Sequence, residues 1–290
     1  MNLKINEISQ NLQKEFREKG IMRHLSPSSL KQFQKSPLAF LEYIAKKDEP
    51  RATTDAFAMG NAFEALFFEP ENFCDKFFVW DASARPNIEK SFVAKENREW
   101  KKALFSSAGE KTPIEKKMYE IAATVAKIAA DKPVCENFLQ QKNGYNFEYH
   151  PKLSGVINGI PFVGELDAIV SSPKSGKIVL ETKSKGDGGG ITDKEVDWYI
   201  KKWQVALQML IYKHLSGAEN AFLIIANTNS IGSADARLFE LRSYMTEAQN
   251  TLDYLCSRYL DWYENYDCQP LSASQFYPSD YESTGGFNII

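Results

Sequence analysis

The sequence is poor in the two residue types that most often build scaffolds or metal centres from side chains alone. It contains only four cysteines and three histidines, and no two cysteines form a C-x-x-C pair. Such sparse thiols exclude a disulfide scaffold and argue against a zinc site, and so few histidines exclude a histidine-rich metal site. These residues are Cys74, Cys135, Cys256, Cys268, His24, His150 and His214.

The chain also lacks long apolar runs and a charge excess of one sign. No apolar stretch approaches the length of a membrane span, and the first 16 residues read as an amphipathic polar helix without a signal-peptide core. We therefore expect a cytoplasmic protein with no membrane partner. The net charge of −3 does not by itself indicate a nucleic-acid-binding protein.

What is present fits an ordinary soluble globular protein. Of the 290 residues, 43% are hydrophobic and 25% are charged, which is enough apolar material for one large domain or two modest ones. We find no internal repeat and no low-complexity tract. A single domain over residues 1–290 is expected, with a helical portion at 1–140 and a sheet core followed by a helix at 141–290.

The helical portion is predicted from capping residues. Ser26 or Ser28 is predicted to cap one short helix, and Ser36–Pro37 is predicted to start the next. A further helix is predicted from about Asp55 to Phe68, closed by Pro70.

Two segments match the capping-box pattern, in which a threonine is followed three residues later by a glutamate. The first, at 112–115, predicts a helix that ends before Pro133. The second, at 192–195, predicts one long helix that ends at Gly217.

The sheet core is predicted from alternating apolar and polar residues. Asn158–Gly159 is a strong hairpin signal within such a segment, and "KIVLETKS", "NAFLIIANT" and "ARLFEL" read as further strands. "TEAQNTLDYLCSRYLDWYENY" reads as a final helix. Strands and helices behind a helical N-terminal portion predict an α/β fold.

The segment "GELDAIVSSPKSGKIVLETKSK" places charges within strands that should pack against a core. Residues two apart share a face of a strand, so Glu181 and Lys183 point the same way, and Asp167 converges with them if the two strands pair. Two carboxylates at close range favour a bound cation such as Mg²⁺ or Mn²⁺. Together with a lysine they suit metal-assisted hydrolysis of phosphodiesters. A solvated sheet face is the alternative for these three residues alone.

The following helix carries a polar stripe beside an apolar face. Gln204, Gln208 and Tyr212 recur at four-residue spacing, which suits a site that orients a phosphate or a catalytic side chain. An amphipathic helix with ordinary border residues is the alternative. The predicted apolar face is formed by Val196, Ile200, Trp203, Leu207 and Leu210.

Taken in order, these motifs resemble the core of the PD-(D/E)XK nucleases in their RecB-like branch. The segments "LSPSSLKQFQKSPLAF" and "MGNAFEALFFEPENF" resemble upstream motifs of that branch, the second being similar to phage-type exonucleases related to exonuclease VIII. The similarity runs from about His24 to Tyr212. It implies a restriction-endonuclease-like mixed sheet flanked by helices.

The resemblance implies a role for each matching residue. Asp167 and Glu181 would hold the metal ions, with the backbone carbonyl of Thr182 as a further ligand. Lys183 would be the catalytic lysine. Gln208 and Tyr212 would orient groups at the site. Glu148 occupies a position where these exonucleases often carry an acid, although an exposed strand glutamate is the simpler interpretation.

Two departures from the family pattern affect the expected metals. Glu64 stands where the family has a histidine, and its oxygen still suits a hard cation, so we expect it to be a metal ligand. Ser36 stands where iron–sulfur members carry a cysteine, so no iron–sulfur cluster is expected.

The resemblance further implies a Mg²⁺- or Mn²⁺-dependent 5′-to-3′ exonuclease that digests double-stranded DNA from free ends in phage-type recombination. A ring-shaped homo-oligomer, a single-strand annealing protein as partner, and a bacterial or phage-infected cell are implied in the same way. Three alternatives stay open: an endonuclease of the same fold, a non-catalytic DNA-binding relative, and an adaptor that binds no nucleic acid. Lys185 and the glycine-rich loop at 186–190 border the DNA track in this interpretation, or have no such role.

Overall fold

The computed structural model describes residues 24–46, 54–173, 176–186 and 190–265, together with Glu18. The helix predicted for the first 16 residues, the centre of the glycine-rich loop and Cys268 lie outside the described residues.

Two short helices open the described chain, each begun by a serine and a proline. Ser26 accepts a hydrogen bond from the Ser29 backbone N–H and forms a capping box with it, so Ser26 rather than Ser28 is the cap. Ser36 caps the second helix through the backbone N–H of Ala39, as predicted. These helices are α1 (Pro27–Lys35) and α2 (Pro37–Ala45).

The helix predicted from Asp55 to Phe68 is confirmed with those bounds. This helix, α3, is capped by Thr54 and buries most of its apolar side chains. A 3₁₀ turn at Pro70–Asn72 follows, then α4 (Phe73–Lys76) and β1 (Phe77–Trp80).

The capping box predicted at 112–115 is wrong. Thr112–Glu115 forms β2, which pairs in parallel with β1 and buries Ile114 in the core, and α6 begins only at Lys116. Strand pairing and the burial of an apolar side chain outweigh the local capping pattern here. The elements of this region are α5 (Lys95–Ser107), β2, α6 (Lys116–Ala130) and α7 (Pro133–Leu139).

A five-stranded mixed sheet forms the centre of the fold, as predicted. The strand order is β3-β6-β7-β8-β9, in which β7 and β8 run parallel and all other neighbours are antiparallel. The strands are β3 (Asn146–Tyr149), β6 (Ala168–Ser172), β7 (Gly176–Lys185), β8 (Asn220–Asn227) and β9 (Asp235–Glu240).

The hairpin predicted at Asn158–Gly159 is confirmed. It joins β4 (Lys152–Ile157) to β5 (Ile160–Glu165). Asn158 has a φ of 50° and Gly159 a φ of 78°, and a two-residue turn with both φ values positive matches the twist of the flanking strands.

The single long helix predicted after β7 is two helices. The predicted capping box between Thr192 and Glu195 is present, and Gly217 ends the second helix in a left-handed conformation, but Gln204 interrupts the run with a φ of 49°. This break leaves Trp203 53% exposed, so its predicted place on the apolar face is wrong. The helices are α8 (Asp193–Lys202) and α9 (Val205–Ser216), and the chain continues through β8 and β9 to α10 (Met245–Asn265).

Two apolar cores cover opposite faces of the sheet. Val179 of β7 packs in one core with Leu25 and Leu207, while Leu180, the next residue, packs in the other with Phe63. Adjacent strand residues point to opposite faces, so α1 and α9 cover one face and α3 covers the other. Among the described helices, none has both the length and the apolar character of a membrane span.

Candidate active site

Asp167 lies at the bend between β5 and β6, beside the middle of β7. Its Oδ2 accepts hydrogen bonds from the backbone N–H and the hydroxyl of Thr182, at 2.6 and 2.8 Å. These bonds fix the carboxylate just before the first residue of β6. Thr182 is itself buried, and the predicted role of its carbonyl as a metal ligand stays a prediction.

Glu181 and Lys183 share the face of β7 that lies under α9. Glu181 is only 2% exposed, and its Oε1 accepts hydrogen bonds from the Lys183 ammonium and from the Gln208 amide, the latter at 2.7 Å. Its Oε2 is buried without a hydrogen-bond partner. A buried carboxylate oxygen without a partner is unfavourable, so this position favours a bound cation.

Lys31, on α1, completes this group and was not predicted from the sequence. Its ammonium donates to the Gln208 Oε1 at 3.1 Å and to the Trp203 carbonyl at 2.9 Å. Because Lys31 occupies the oxygen of the Gln208 amide, the nitrogen of that amide faces Glu181. We call Lys31, Glu181, Lys183 and Gln208 the lysine–glutamate cluster.

Tyr212 anchors α9 rather than reaching Glu181 directly. Its hydroxyl donates to the Glu165 carbonyl at 2.8 Å, and the Gln208 amide nitrogen lies 3.5 Å from the same hydroxyl. The ring lies against Gly164, where an added Cβ would approach Tyr212 Cε1 to 2.7 Å. These contacts place Tyr212 in the packing of α9, and its predicted orienting role stays a prediction.

A second group of side chains meets on the other side of Asp167. One ligand atom each of Glu64, His150 and Asp167 lies within 4.8 Å of the others. The His150 Nε2 is 2.5 Å from the Glu64 Oε1, and its Nδ1 is 3.6 Å from the Glu165 Oε1. We call Glu64, His150 and Asp167 the carboxylate–imidazole cluster; Glu181 does not belong to it.

His150 was also missed by sequence reasoning. Its φ of 50° is uncommon for a residue other than glycine, and its backbone N–H donates to the Asp167 carbonyl at 2.9 Å. The strained backbone thus holds the ring beside Glu64. The His-Pro pair at 150–151 marked a turn in the sequence, but no local pattern linked that turn to Glu64.

Comparisons with known proteins identify the family. Residues 26–271 match the family described as a PDDEXK-like domain of unknown function (DUF3799). The chain belongs to this family. No curated protein matches the sequence.

Solved structures that resemble this PDDEXK-like domain include three exonucleases. A candidate exonuclease from Eubacterium rectale superposes with a TM-score of 0.52 at 14% identity, over 90% of this chain and 95% of that one. A phage-related exonuclease from Haemophilus somnus 129PT gives a TM-score of 0.35 at 15% identity, over 60% and 83% of the chains. An alkaline exonuclease from Laribacter hongkongensis gives 0.29 at 12% identity, over 68% and 95%. The first of these confirms the fold.

Burial and neighbouring charges shift the pKa values of three residues in the two clusters of this PDDEXK-like domain. Burial, and then the negative charge of Asp167, raises the pKa of Glu181 to about 7. Burial and the charge of Glu64 likewise raise the pKa of Asp167. Although burial opposes it, the charges of Glu181 and Asp167 raise the pKa of Lys183, which keeps this lysine an ammonium.

The donor set of the PDDEXK-like domain fits a divalent cation. Carboxylates that raise one another's pKa are stabilised by a cation between them, and two carboxylates with one imidazole suit Mg²⁺, Mn²⁺ or a similar ion. The hydrogen bond between Glu64 and the imidazole raises the pKa of His150. The imidazole thereby supplies part of the positive charge that a bound cation would supply.

Two other residues considered from the sequence lie apart from this group. Glu148 is exposed on β3, as the simpler interpretation expected. Lys185 is buried, and its ammonium lies 3.3 Å from the Gly190 carbonyl and 3.5 Å from Glu195. It therefore joins β7 to the start of α8 instead of facing outward.

Proposed function

We propose that this PDDEXK-like domain is a metal-dependent deoxyribonuclease, and that it acts as a 5′-to-3′ exonuclease on double-stranded DNA. The observation that supports a nuclease most directly is the position of Asp167, which belongs to the carboxylate–imidazole cluster while its charge and that of Glu181 act on the Lys183 ammonium. The specific polarity and the role in phage-type recombination come from the resemblance to exonuclease VIII-like proteins.

In this proposal each side chain has a defined task. Glu64, His150 and Asp167 would hold a Mg²⁺ or Mn²⁺ ion. Glu181, which stands outside that cluster, would offer its unpartnered oxygen to a cation from the side of the lysine–glutamate cluster. A bound divalent ion supplies Lewis-acid stabilisation of charge on the phosphate oxygens.

The lysine–glutamate cluster supplies the fixed positive charge. The Lys183 ammonium faces the negative charge that develops on the phosphate as water attacks in line. Gln208 holds Glu181 in place through its amide nitrogen, and Lys31 holds the Gln208 amide in the required orientation.

The proposed partners follow from the resemblance. They are linear duplex DNA with free ends, a single-strand annealing protein, and further copies of this chain in a ring, in the cytoplasm of a bacterial or phage-infected cell. An iron–sulfur cluster is not part of the proposal, because the branch that carries one has a cysteine where this chain has Ser36.

Incubation with end-labelled linear duplex, with and without Mg²⁺, tests the nuclease. We expect Mg²⁺-dependent release of label from the 5′ end, with closed circular duplex left intact. Cleavage of the closed circle would instead show an endonuclease. Retention of DNA without any cleavage would show a non-catalytic relative.

The Lys183→Ala variant tests the catalytic assignment. Removal of the ammonium should abolish cleavage and leave duplex retention in a filter assay unchanged, since binding draws on many phosphate contacts. Lys177→Ala, on the exposed start of the same strand, is the matched control and should cleave normally. Equal cleavage by both variants would overturn the role of Lys183.

A Mn²⁺ titration followed by electron paramagnetic resonance tests the metal site independently of cleavage. His150→Asn removes one of three ligands and should weaken Mn²⁺ binding at least about tenfold. His214→Asn, on α9, is the control because His214 contacts Gln249 and lies outside the cluster. Unchanged Mn²⁺ affinity in His150→Asn would show that the ion, if bound, lies elsewhere.

A further inference from the structure

Two exposed indoles lie close together in the sequence, Trp198 on α8 and Trp203 at the end of that helix. Trp198 is 51% exposed and Trp203 is 53% exposed, whereas Trp80 and Trp262 are buried and Trp100 is partly buried. All five tryptophans of the chain lie within the described residues. Tryptophans are enriched at interaction surfaces, so two exposed ones so near each other in the sequence form a candidate binding surface.

A lysine ammonium lies over both rings. The Lys202 Nζ is 4.3 Å from the centroid of the Trp198 ring and 5.1 Å from that of Trp203. We call Trp198, Lys202 and Trp203 the aromatic surface. It presents two flat apolar faces with a positive charge beside them, the combination that binds bases by stacking and the phosphates between them by charge.

Two of the three acidic residues of α8 are engaged with other partners. Asp197 accepts hydrogen bonds from Tyr244 and pairs with Lys201 at 3.0 Å. Glu195 is engaged in the capping box with Thr192 and lies 3.5 Å from Lys185.

The backbone of Trp203 is hydrogen-bonded to the lysine–glutamate cluster. The Trp203 carbonyl accepts from Lys31, which donates also to Gln208, and Gln208 donates to Glu181. Trp203 is therefore three hydrogen bonds from the proposed catalytic carboxylate. Gln204, the next residue, has a left-handed conformation and separates α8 from α9.

We infer that the aromatic surface binds unpaired nucleotides of a DNA strand, whose bases stack on Trp198 and Trp203 and whose phosphate pairs with Lys202. The inference rests on the proposed nuclease function only for the source of that strand, because an exonuclease that digests one strand of a duplex must hold nucleotides that have left their partners. A partner protein or a second copy of this chain would also cover exposed indoles, but neither accounts for a lysine held over the rings beside further cations at 31 and 183.

Binding is measured without metal, in EDTA, so that the result does not depend on cleavage. A short fluorescein-labelled oligothymidylate is titrated with the full chain, followed by anisotropy and by quenching of tryptophan fluorescence. Each of Trp198→Ala and Trp203→Ala should weaken binding about tenfold, the usual effect of losing one base-stacking contact. Tyr254→Ala, an exposed aromatic on α10, should bind as the wild type does.

Three further arms separate stacking from other causes. An oligomer of the same length with abasic sugars loses both stacking contacts, so it should bind the wild type about a hundredfold less tightly and should not distinguish the tryptophan variants. Trp203→Leu keeps an apolar side chain and should still lose affinity. Lys202→Met should lower the slope of log affinity against log salt by about 0.7, the value for one phosphate contact on a single strand.

Each outcome decides the inference. Equal oligothymidylate affinity in the tryptophan variants and the wild type overturns it, whether or not the chain cleaves duplex DNA. Self-association of the wild type that Trp198→Ala abolishes, with no competition by oligothymidylate, overturns it in favour of a protein interface. Tryptophan-dependent binding in a chain that fails to cleave any DNA supports the aromatic surface and rejects the nuclease alone.

Discussion

At the scale of single residues, the most informative feature is the difference in hydrogen bonding between the two carboxylate oxygens of Glu181. One accepts two hydrogen bonds and the other is buried with none. A site built only for stability would satisfy both oxygens, since an unsatisfied buried acceptor costs roughly 1 to 3 kcal/mol. The arrangement is what a residue kept for binding a cation would show.

The first prediction concerns stability without metal. Burial and Asp167 raise the pKa of Glu181 from 4.5 to about 7, so the folded state binds the proton more tightly than the unfolded state does. The stabilising contribution of the protonated form is complete below about pH 4.5 and is lost as the pH rises through about 7. Glu181→Gln mimics the neutral form and should therefore be more stable than the wild type in EDTA at mildly alkaline pH, by on the order of 1 to 3 kcal/mol.

Urea denaturation across the same pH range measures this difference. The difference in free energy of unfolding between Glu181→Gln and the wild type should disappear at acidic pH. It should also become smaller when Mg²⁺ is added to the wild type. Glu148→Gln, at an exposed position on β3, should have the same free energy of unfolding as the wild type at every pH. A Glu181→Gln variant less stable than the wild type throughout would contradict the assignment of Glu181 as an unfavourable buried charge.

The second prediction concerns Lys31. Burial, and then the charge of Lys183, lowers the pKa of Lys31 to about 8, which shows how closely the cations are gathered. Lys31→Met keeps the length of the side chain but frees the Gln208 amide to turn its oxygen toward Glu181. Cleavage should fall by about tenfold to a hundredfold, corresponding to one or two lost hydrogen bonds to charged groups.

A double-mutant cycle with Gln208→Ala separates positioning from surface charge. Because Lys31 acts through Gln208, the effects of Lys31→Met and Gln208→Ala on kcat should be clearly non-additive. Lys35→Met, at the exposed end of the same helix, should leave kcat unchanged. Simple additivity of the two effects would remove the positioning role.

At the scale of elements, the sequence predicts best where local chemistry and tertiary packing agree. The bounds of α3, the Ser26 and Ser36 caps and the turn at Asn158–Gly159 all follow from residues within a few positions of each other. In each case the packed structure leaves the local preference undisturbed, and the prediction is confirmed.

The wrong predictions have a common cause in distant contacts. The pattern at 112–115 favours a helix start, but pairing with β1, more than thirty residues earlier, converts it to a strand. Neither glycine nor proline marks the helix break at Gln204. The Gln204 side chain donates a hydrogen bond to Gln34, a residue far away in the sequence. No window of the sequence contains both partners of such a contact.

The candidate site divides along the same line. Asp167, Glu181 and Lys183 were found because they lie on neighbouring strands at readable spacing, and Gln208 and Tyr212 because the family motif includes them. His150 and Lys31 were missed because each becomes part of the site only through a contact with a residue far away in the chain.

The third prediction concerns the packing of α9 against the β4–β5 hairpin. A Cβ at position 164 would approach Tyr212 Cε1 to 2.7 Å, so Gly164→Ala must displace the Tyr212 ring and with it the helix that carries Gln208. We expect a loss of about 1 to 3 kcal/mol in the free energy of unfolding, together with slower cleavage. Gly232→Ala, where a Cβ meets nothing within 4 Å, is the control.

Thermal unfolding and a cleavage assay on both variants check this expectation. The double variant Gly164→Ala with Tyr212→Leu should recover part of the lost stability, because the smaller side chain makes room for the new methyl group. Full stability in Gly164→Ala alone would show that the ring and the strand are not in the contact described.

At the scale of the whole molecule, the central sheet separates two cores, and the candidate site takes residues from both sides. Glu64 comes from α3 over one face, while Gln208 and Lys31 come from α9 and α1 over the other. Asp167, just before β6, belongs to the carboxylate–imidazole cluster and hydrogen-bonds to Thr182, which lies between Glu181 and Lys183 on β7. The site therefore depends on the sheet being complete and covered on both faces.

The fourth prediction uses the cysteines as reporters of this global packing. Cys74 is exposed, whereas burial raises the pKa of Cys135 to about 12 and that of Cys256 to about 11. In a Cys268→Ser background, one thiol should react rapidly with an aromatic disulfide reagent at mildly alkaline pH. The other two should react only as the protein unfolds, because the thiolate is the reactive form.

The variants Cys74→Ser and Cys135→Ser in that background identify the reactive group. The first should abolish the rapid phase, and the second should leave it unchanged. A rapid phase that survives Cys74→Ser would mean that one of the two cores opens without global unfolding.

The bond between Lys31 and Gln208 joins residues 177 positions apart. During synthesis, Lys31 therefore leaves the ribosome long before Gln208 does. A chain that stopped before position 208 would lack both the amide that donates to Glu181 and the oxygen that accepts from Lys31. The order of the chain thus delays completion of the lysine–glutamate cluster until late in synthesis.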